Sequence, residues 1–496
     1  MTVFTPEAIK ALNDPSLFIG KGFIGGEWTV PSSGKEFPVY EPSSGTVLGM
    51  VSDFGLADFK RAVADAETGF QKYSTSTTAA QRGQLLRNWF NLIMANADDI
   101  ATILTLENGK TFAEAKGEVS YAASFVSWFA EEAPRSYGDV IPSSTHGNLV
   151  MTYKQPIGVC AIITPWNFPA AMITRKIAPA LGAGCAVVIK PPSETPFTCM
   201  ALIELAVRAG LPGSCMQAVP TKDRNAATEL VTNPIIKKVS FTGSTSVGKH
   251  LSKLAMDTMK KVSMELGGNA PFIVFEDADI DTAVDGAMAC KFRCSGQTCV
   301  CANRLYVHEA VADEFTAKLV LAVNRLKLGY GLDPETTQGP LVNRGGVEKM
   351  TAHIEDAVSK GAKIETGGRK PALPGFFHEP TVLSGVTSAM AVATDETFGP
   401  LAPIFTFSTE EEVVALANNT EFGLAGYFYS KDVARVIRVS RAIECGMVGV
   451  NTGKISAAEA PFGGVKESGV GREGSKYGMA EYETIKTVTI GSVLQV

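Results

Sequence analysis

The chain has 496 residues, 45% hydrophobic and 19% charged, with 45 Lys+Arg against 51 Asp+Glu for a net charge of −6. That length exceeds what one core supports and predicts two or three domains. The mild acidity, with no basic stripe, argues against nucleic acid as the main partner. No apolar run approaches the roughly 20 residues of a membrane span, so no membrane association is expected. Met1–Leu17, with Glu7 and Asp14 and no Arg, resembles neither a signal nor a transit peptide.

In chain order, residues 22–50 read as short strands with Gly/Pro turns, Gly22–Trp28 and then Pro38–Tyr40. Residues 56–137 read as helices; Leu85, Leu86, Trp89, Leu92 and Ile93 recur at helical spacing between Arg82 and Leu106, with Gly109 as the stop. From Gly158 short apolar runs alternate with helical segments. Val159–Ile163, Ala186–Lys190, Met216–Val219, Lys238–Phe241 and Lys261–Glu265 read as strands, with helices from about Pro169 and over Phe197–Ala209. Such alternation implies a parallel, doubly wound sheet, which binds ligands outside the carboxyl ends of its strands. Four polar or small-residue turns fall at those ends: Thr164–Asn167, Lys190–Ser193, Thr242–Ser244 and Glu265–Gly267. A second alternating region opens at Pro271–Phe275 and runs to about Val450. The final stretch, Thr484–Val496, reads as an edge strand, with Asn148–Tyr153 in the same arm; such an edge often pairs with another subunit.

Nine Cys are scattered, mostly in apolar stretches (Cys160, Cys185, Cys290), which fits reduced thiols and a cytoplasmic location better than a disulfide framework. Cys294, Cys299 and Cys301 lack a Cys-x2-Cys pair and a nearby His, so no metal is expected. Cys299, in Gly296–Cys301, follows Glu265, in Met264–Asn269, by 34 residues. A thiolate forms thioesters and a carboxylate can activate water to break them. On these two fragments alone, covalent catalysis and plain packing both fit. Phe241–Gly248 follows a strand and opens a helix; its bare Gly243 suits a pyrophosphate, as it suits an ordinary helix cap. Lys190 closes a buried strand, where a ligand oxygen or a carboxylate on another strand would each explain the charge.

Together these residues resemble the aldehyde dehydrogenase superfamily over essentially the whole chain. The motifs, in order, are Pro165–Pro169, Lys190–Pro196, Phe241–Ser244, Glu265–Gly268, Gly296–Cys299, Glu396–Pro400 and Pro461–Gly464. Ile173–Lys176, Lys291–Arg293, Cys299–Asn303 and Gly471–Gly478 are most similar to its NAD(P)-dependent succinate-semialdehyde dehydrogenase branch. The resemblance implies an α/β fold of two doubly wound, Rossmann-like domains plus a small β oligomerisation arm. The expected partition is a dinucleotide-binding domain over 1–140 and 159–268, a catalytic domain over 269–477, and an arm over 141–158 and 478–496. It also implies a homodimer or homotetramer acting on a small semialdehyde, as in GABA catabolism.

In residue terms the resemblance implies that Cys299 attacks the aldehyde, Asn167 and the Cys299 N–H hold the oxyanion, and Glu265 activates water. Thr164, Pro165 and Trp166 would line the cofactor, Lys190 and Glu396 hold its riboses, Gly243 and Ser244 its pyrophosphate, and Phe398 pack near the nicotinamide. Ser193 stands in the place of the acid that holds a ribose diol, leaving room for a 2′-phosphate, so NADP is expected to be preferred and NAD accepted. Arg175, Arg293 and Ser456 match the branch's carboxylate-binding residues, and two Arg forks suit such a group. Cys301 matches a position that in some relatives forms a reversible disulfide with the nucleophile. Two departures stand out, Cys294 where many relatives have Asn and Lys454 where an apolar residue is usual, both expected near the substrate; they leave glutarate semialdehyde or another ω-oxo acid open. A cofactor-independent thiol hydrolase would leave Lys190, Gly243 and Glu396 without a task, and a purely structural protein would leave Cys299, Glu265 and Asn167 without one.

Overall fold

A computed structural model describes residues 7–491. Two parallel sheets dominate it. The first has eight strands. Its parallel centre runs Met216–Ala218, Ala186–Lys190, Val159–Ile163, Ile236–Thr242, Lys261–Glu265. The hairpin Gly22–Ile24/Glu27–Thr29 closes one edge, joining through Gly22–Ile24, and Gly469–Val470 closes the other; both joining strands are antiparallel to the centre. Val159–Ile163 is buried at every position, as a strand covered by helices on both faces must be. Chain order reverses direction between Val159–Ile163 and Ile236–Thr242, so the crevice of the doubly wound sheet opens between the turns that follow these two strands.

The second sheet has seven strands. Lys363–Thr366 pairs antiparallel at one edge. Thr381–Ser384, Leu401–Phe407, Ala302–His308, Ala270–Val274, Ala425–Tyr429 and Met447–Val450 then follow, all parallel. Phe272 and Val274 belong to the apolar cluster on one face, Ile273 and Phe275 to that on the other, the alternation a pleated strand imposes. The second sheet starts where the first ends, since only Leu266–Asn269 separate Lys261–Glu265 from Ala270–Val274.

The stretch read as one helical run from Arg82 to Leu106 is two helices, Ala79–Ala95 and Ala97–Asn108. Asn96 divides them by turning its side chain back onto the Leu92 carbonyl at 2.8 Å, the local competition that makes Asn a helix breaker. Gly109, at φ 90°, ends the second helix in the left-handed conformation Gly adopts freely. A third sheet of Val140–Ile141, Leu149–Pro156 and Glu483–Ile490 projects as an antiparallel arm. The expected last strand thus ends at Ile490, and 492–496 lie outside the described residues. No helix among the described residues is long and apolar enough to cross a membrane.

Gly469 sits at φ 128°, and a Cβ there would overlap the Met264 carbonyl oxygen. Gly469→Ala therefore pushes on the strand that ends in Glu265, and overpacking with backbone strain should cost about 1–3 kcal/mol. The denaturation midpoint is expected to fall; a midpoint equal to that of the parent protein would contradict this packing.

Candidate active site

Cys299 lies in the turn that leads into Ala302–His308. Upstream, Cys294, Ser295 and Gly296 all have positive φ (50°, 54° and 69°), a conformation that strains the two non-glycine residues. The surroundings hold it: Glu114 Oε1 accepts from the Cys294 N–H at 2.6 Å, and Ser295 Oγ donates to Gly339 O at 2.7 Å. The Val342 N–H donates to Gln297 Oε1 at 2.9 Å. Burial pushes the Cys299 thiol up to about 12, with the Arg175 charge opposing that rise. Cys301 is buried, its Sγ donating to Lys291 O at 3.5 Å.

Glu265 ends its strand at the mouth of the first sheet. It is 1% exposed, and neither carboxylate oxygen has a hydrogen-bond partner. Burial and the neighbouring Glu473 hold it well above the ordinary carboxylate range, against the pull of Arg175, Lys176 and Arg472. Glu473 bridges Arg175 Nε and Lys176 Nζ; burial would raise it, but these two cations outweigh burial and keep it ionised. Asn167 follows Val159–Ile163 in an irregular loop. Its Nδ2 donates to Gln297 O at 3.0 Å, so the carboxamide faces the nucleophile's own turn, and its Oδ1 is buried without a partner. Gly268 closes the cluster: a Cβ on it would collide with the Cys299 carbonyl.

A cavity of about 250 Å³ opens on Cys299 and is lined by Arg175, Arg293, Ser456, Tyr121 and the rings of Phe168 and Phe462. The expected pair of free Arg forks is only partly so. Arg175 gives Nε to Glu473 and stacks 4.1 Å over Phe462, while its Nη2 is buried and unpartnered. Arg293 lies 5.5 Å over Phe168. Tyr121, on the helix Phe112–Glu132, carried no motif and escaped the sequence reading. Its hydroxyl reaches Ser456; burial raises it while Arg175, Ser456 and Arg293 oppose. Cys294 lines the cavity; Lys454 does not, being exposed to solvent.

The residues expected to hold a dinucleotide gather along the crevice of the first sheet. Trp166 and Phe398 meet edge to face at 5.5 Å, with Phe398 itself at φ 55°. Ser244 caps the helix Thr245–Met256 without using its side chain, and Gly243 before it leaves the helix N-terminus bare to an anion. Thr164 Oγ1 and Thr242 Oγ1 are buried and unpartnered at the two strand ends. Burial lowers Lys190, with Glu194 and Asp53 opposing. Glu396 accepts from the Gly268 N–H at 3.2 Å and is pushed by burial up to about 7. Ser193 donates to Glu194 at 3.1 Å and lines a larger cavity, about 670 Å³, in which Lys222 and Arg344 are the cations. Unpartnered hydroxyls, a bare helix N-terminus and cations at the Ser193 end fit a phosphate-bearing dinucleotide. Among the described residues no cluster of His, Cys, Asp and Glu could hold a metal.

Comparison with known proteins shows the family. A glutarate-semialdehyde dehydrogenase of Pseudomonas putida is 53% identical over 97% of this chain and 99% of its own length. The NADP(+) succinate-semialdehyde dehydrogenase of Escherichia coli K12 is likewise 53% identical, over 97% and 99%. The crystal structure of succinate-semialdehyde dehydrogenase from Burkholderia pseudomallei superposes with a TM-score of 0.96 at 53% identity, covering 97% of this chain and 100% of that one. The family model described as "Aldehyde dehydrogenase family" matches residues 28–488. This chain, an oxidoreductase with two doubly wound α/β sheets, belongs to the aldehyde dehydrogenase family.

Proposed function

We propose that the protein oxidises a semialdehyde carrying a distal carboxylate, succinate semialdehyde foremost and glutarate semialdehyde as the alternative, with NADP preferred and NAD accepted. The observation that carries this reading is the cavity joining Cys299 to the buried, unpartnered Arg175 Nη2, with Arg293 and Ser456 on the same wall. A buried guanidinium N–H without an acceptor is costly, and a substrate carboxylate oxygen would satisfy it. The names of the relatives support the choice between four- and five-carbon semialdehydes and the choice of NADP.

In this reading the Cys299 thiol gives up its proton to solvent and the thiolate Sγ adds to the aldehyde carbon while the Asn167 Nδ2–H and the Cys299 N–H hold the oxygen that becomes negative. When bound, oxidised NADP would supply the acceptor for the hydride that leaves the thiohemiacetal carbon, so that a thioester remains on Cys299. In its ionised form Glu265, with two free oxygens and a basicity raised by burial and by Glu473, takes a proton from water as the water oxygen attacks the acyl carbon. The carbon–sulfur bond then breaks, releasing the acid and the Cys299 thiolate. Residues 1–140 and 159–268 would form the nucleotide domain, 269–477 the catalytic domain, and 141–158 with 478–496 the arm. Val140 and Ile485, 74% and 72% exposed on that arm, suit burial against another copy in a dimer or tetramer. The free thiols suit a cytoplasmic location.

Three outcomes are expected. In steady-state nucleotide reduction, Cys299→Ala is inactive, and Arg175→Met and Arg293→Met each raise KM for succinate semialdehyde about 10–100-fold while changing KM for butanal little. KM unchanged in both Arg variants would refute the substrate assignment. Ser193→Glu sets a carboxylate where the 2′-phosphate would lie, so the ratio of NADP to NAD kcat/KM should drop about 10–100-fold; an unmoved ratio would remove Ser193 from cofactor choice. Because only the thiolate is alkylated, Cys299 in nucleotide-free protein should react with iodoacetamide about tenfold faster per pH unit between about pH 7 and 10. A plateau below about pH 8 would mean that the thiol is not raised.

A further inference from the structure

The corner between the helices Ala97–Asn108 and Phe112–Glu132 touches the Asn167 loop, the turn before Cys299, the start of the helix that carries Arg175 and the chain after Ser193, although none of the motifs falls on it. Glu107 accepts from the Phe197 and Thr198 N–H groups at 2.7 and 2.9 Å, fixing the chain that follows Ser193. Asn108 Nδ2 donates to Trp166 O at 2.9 Å, and Lys110 Nζ donates to Asn167 O at 2.8 Å. Glu114 holds the strained turn before Cys299 through the Cys294 N–H. Glu118 accepts from the Ala170 and Ala171 N–H groups at 2.8 and 3.3 Å, at the start of the helix that carries Arg175.

Lys110 is the centre of this corner. It pairs with Glu118, both side chains being 1% exposed, and its ammonium lies 4.1 Å over the Phe168 ring. A buried ion pair is poor value for stability, since apolar residues of similar volume often do as well. What this pair does supply is direction. The loop Pro165–Phe168 has no strand or helix ladder, so side chains must fix its peptides, and Lys110 takes the carbonyl of Asn167 itself. Rotation of that peptide would swing Nδ2 away from Cys299, and a misplacement of about 1 Å can cost about 100-fold in rate.

We propose that Lys110, locked by Glu118, is the positioning residue that aims the Asn167 carboxamide at the oxygen of the reacting aldehyde. This rests on the reading of Asn167 as an oxyanion donor. The test is a double-mutant cycle on acylation, read as the single-turnover rate of nucleotide reduction with enzyme in excess. Asn167→Ala should slow acylation about 10²–10³-fold. Lys110→Met should slow it about 10–100-fold, with the Kd for NADP, by fluorescence titration, within about threefold of the parent. Residues that act through one another are non-additive, so Lys110→Met should cost less than about threefold in the Asn167→Ala background. An equal loss in both backgrounds, or a collapse of NADP binding in Lys110→Met, overturns the proposal. If Lys110→Met does not fold, Glu118→Gln goes through the same cycle, because it keeps Oε1 for the Ala170 N–H and removes the ion pair. Normal acylation by Asn167→Ala would instead overturn the reading of Asn167, and the proposal with it.

Discussion

A carboxylate buried with neither oxygen hydrogen-bonded is the constraint around which this site is built. Glu265 could not persist in that state in an apolar interior, where an isolated charge is prohibitively costly. Arg175, Lys176 and Arg472 make it tolerable, with Glu473 acting against them. Glu473, tied to Arg175 and Lys176, takes most of their field. Glu265 is left with enough positive potential to stay in place and too little to lie in the ordinary range of a surface acid. The same arrangement holds Arg175 rigid in the cavity wall before any ligand arrives, which lowers the ordering cost of binding an anion there.

The second constraint is the junction of the two sheets. Strands of the first end at the site, at Ile163 and Glu265, and strands of the second begin there, at Ala270 and Ala302. Gly267–Gly268 and the left-handed turn Cys294–Gly296 fill the narrow space between them, with Gly296 packed against Gly399. The positive φ of Cys294 and Ser295 stores strain, and Glu114, Ser295 and Gln297 restrain the turn with hydrogen bonds. The thiol therefore sits on a rigid turn, as a group that must meet a small electrophile at one angle requires.

Much of this was legible beforehand because it is local. The buried strands are unbroken apolar runs, and the turns at their ends carry Gly, Pro and polar residues. The break at Asn96 is not legible, because a helical apolar spacing persists through it and a single side chain folding onto the Leu92 carbonyl leaves no mark on periodicity. Tyr121 and Glu118, on an amphipathic helix, and Lys110, in the corner before it, look like ordinary residues of such a segment until the partner surface is known. Arg175 was recognised, but its bond to Glu473, 298 residues away, depends on how the chain closes on itself.

The sequence by itself determined the alternation of strand and helix, the positions of the strand-end turns and the identity of the reactive groups, since each follows from short-range pattern and side-chain chemistry. Only the tertiary structure decided which of those groups are buried, which are paired, and which face the same cavity. Desolvation and hydrogen bonding depend on atoms brought together from distant parts of the chain. They set the raised thiol of Cys299, the free oxygens of Glu265 and the grip of Lys110 on Asn167.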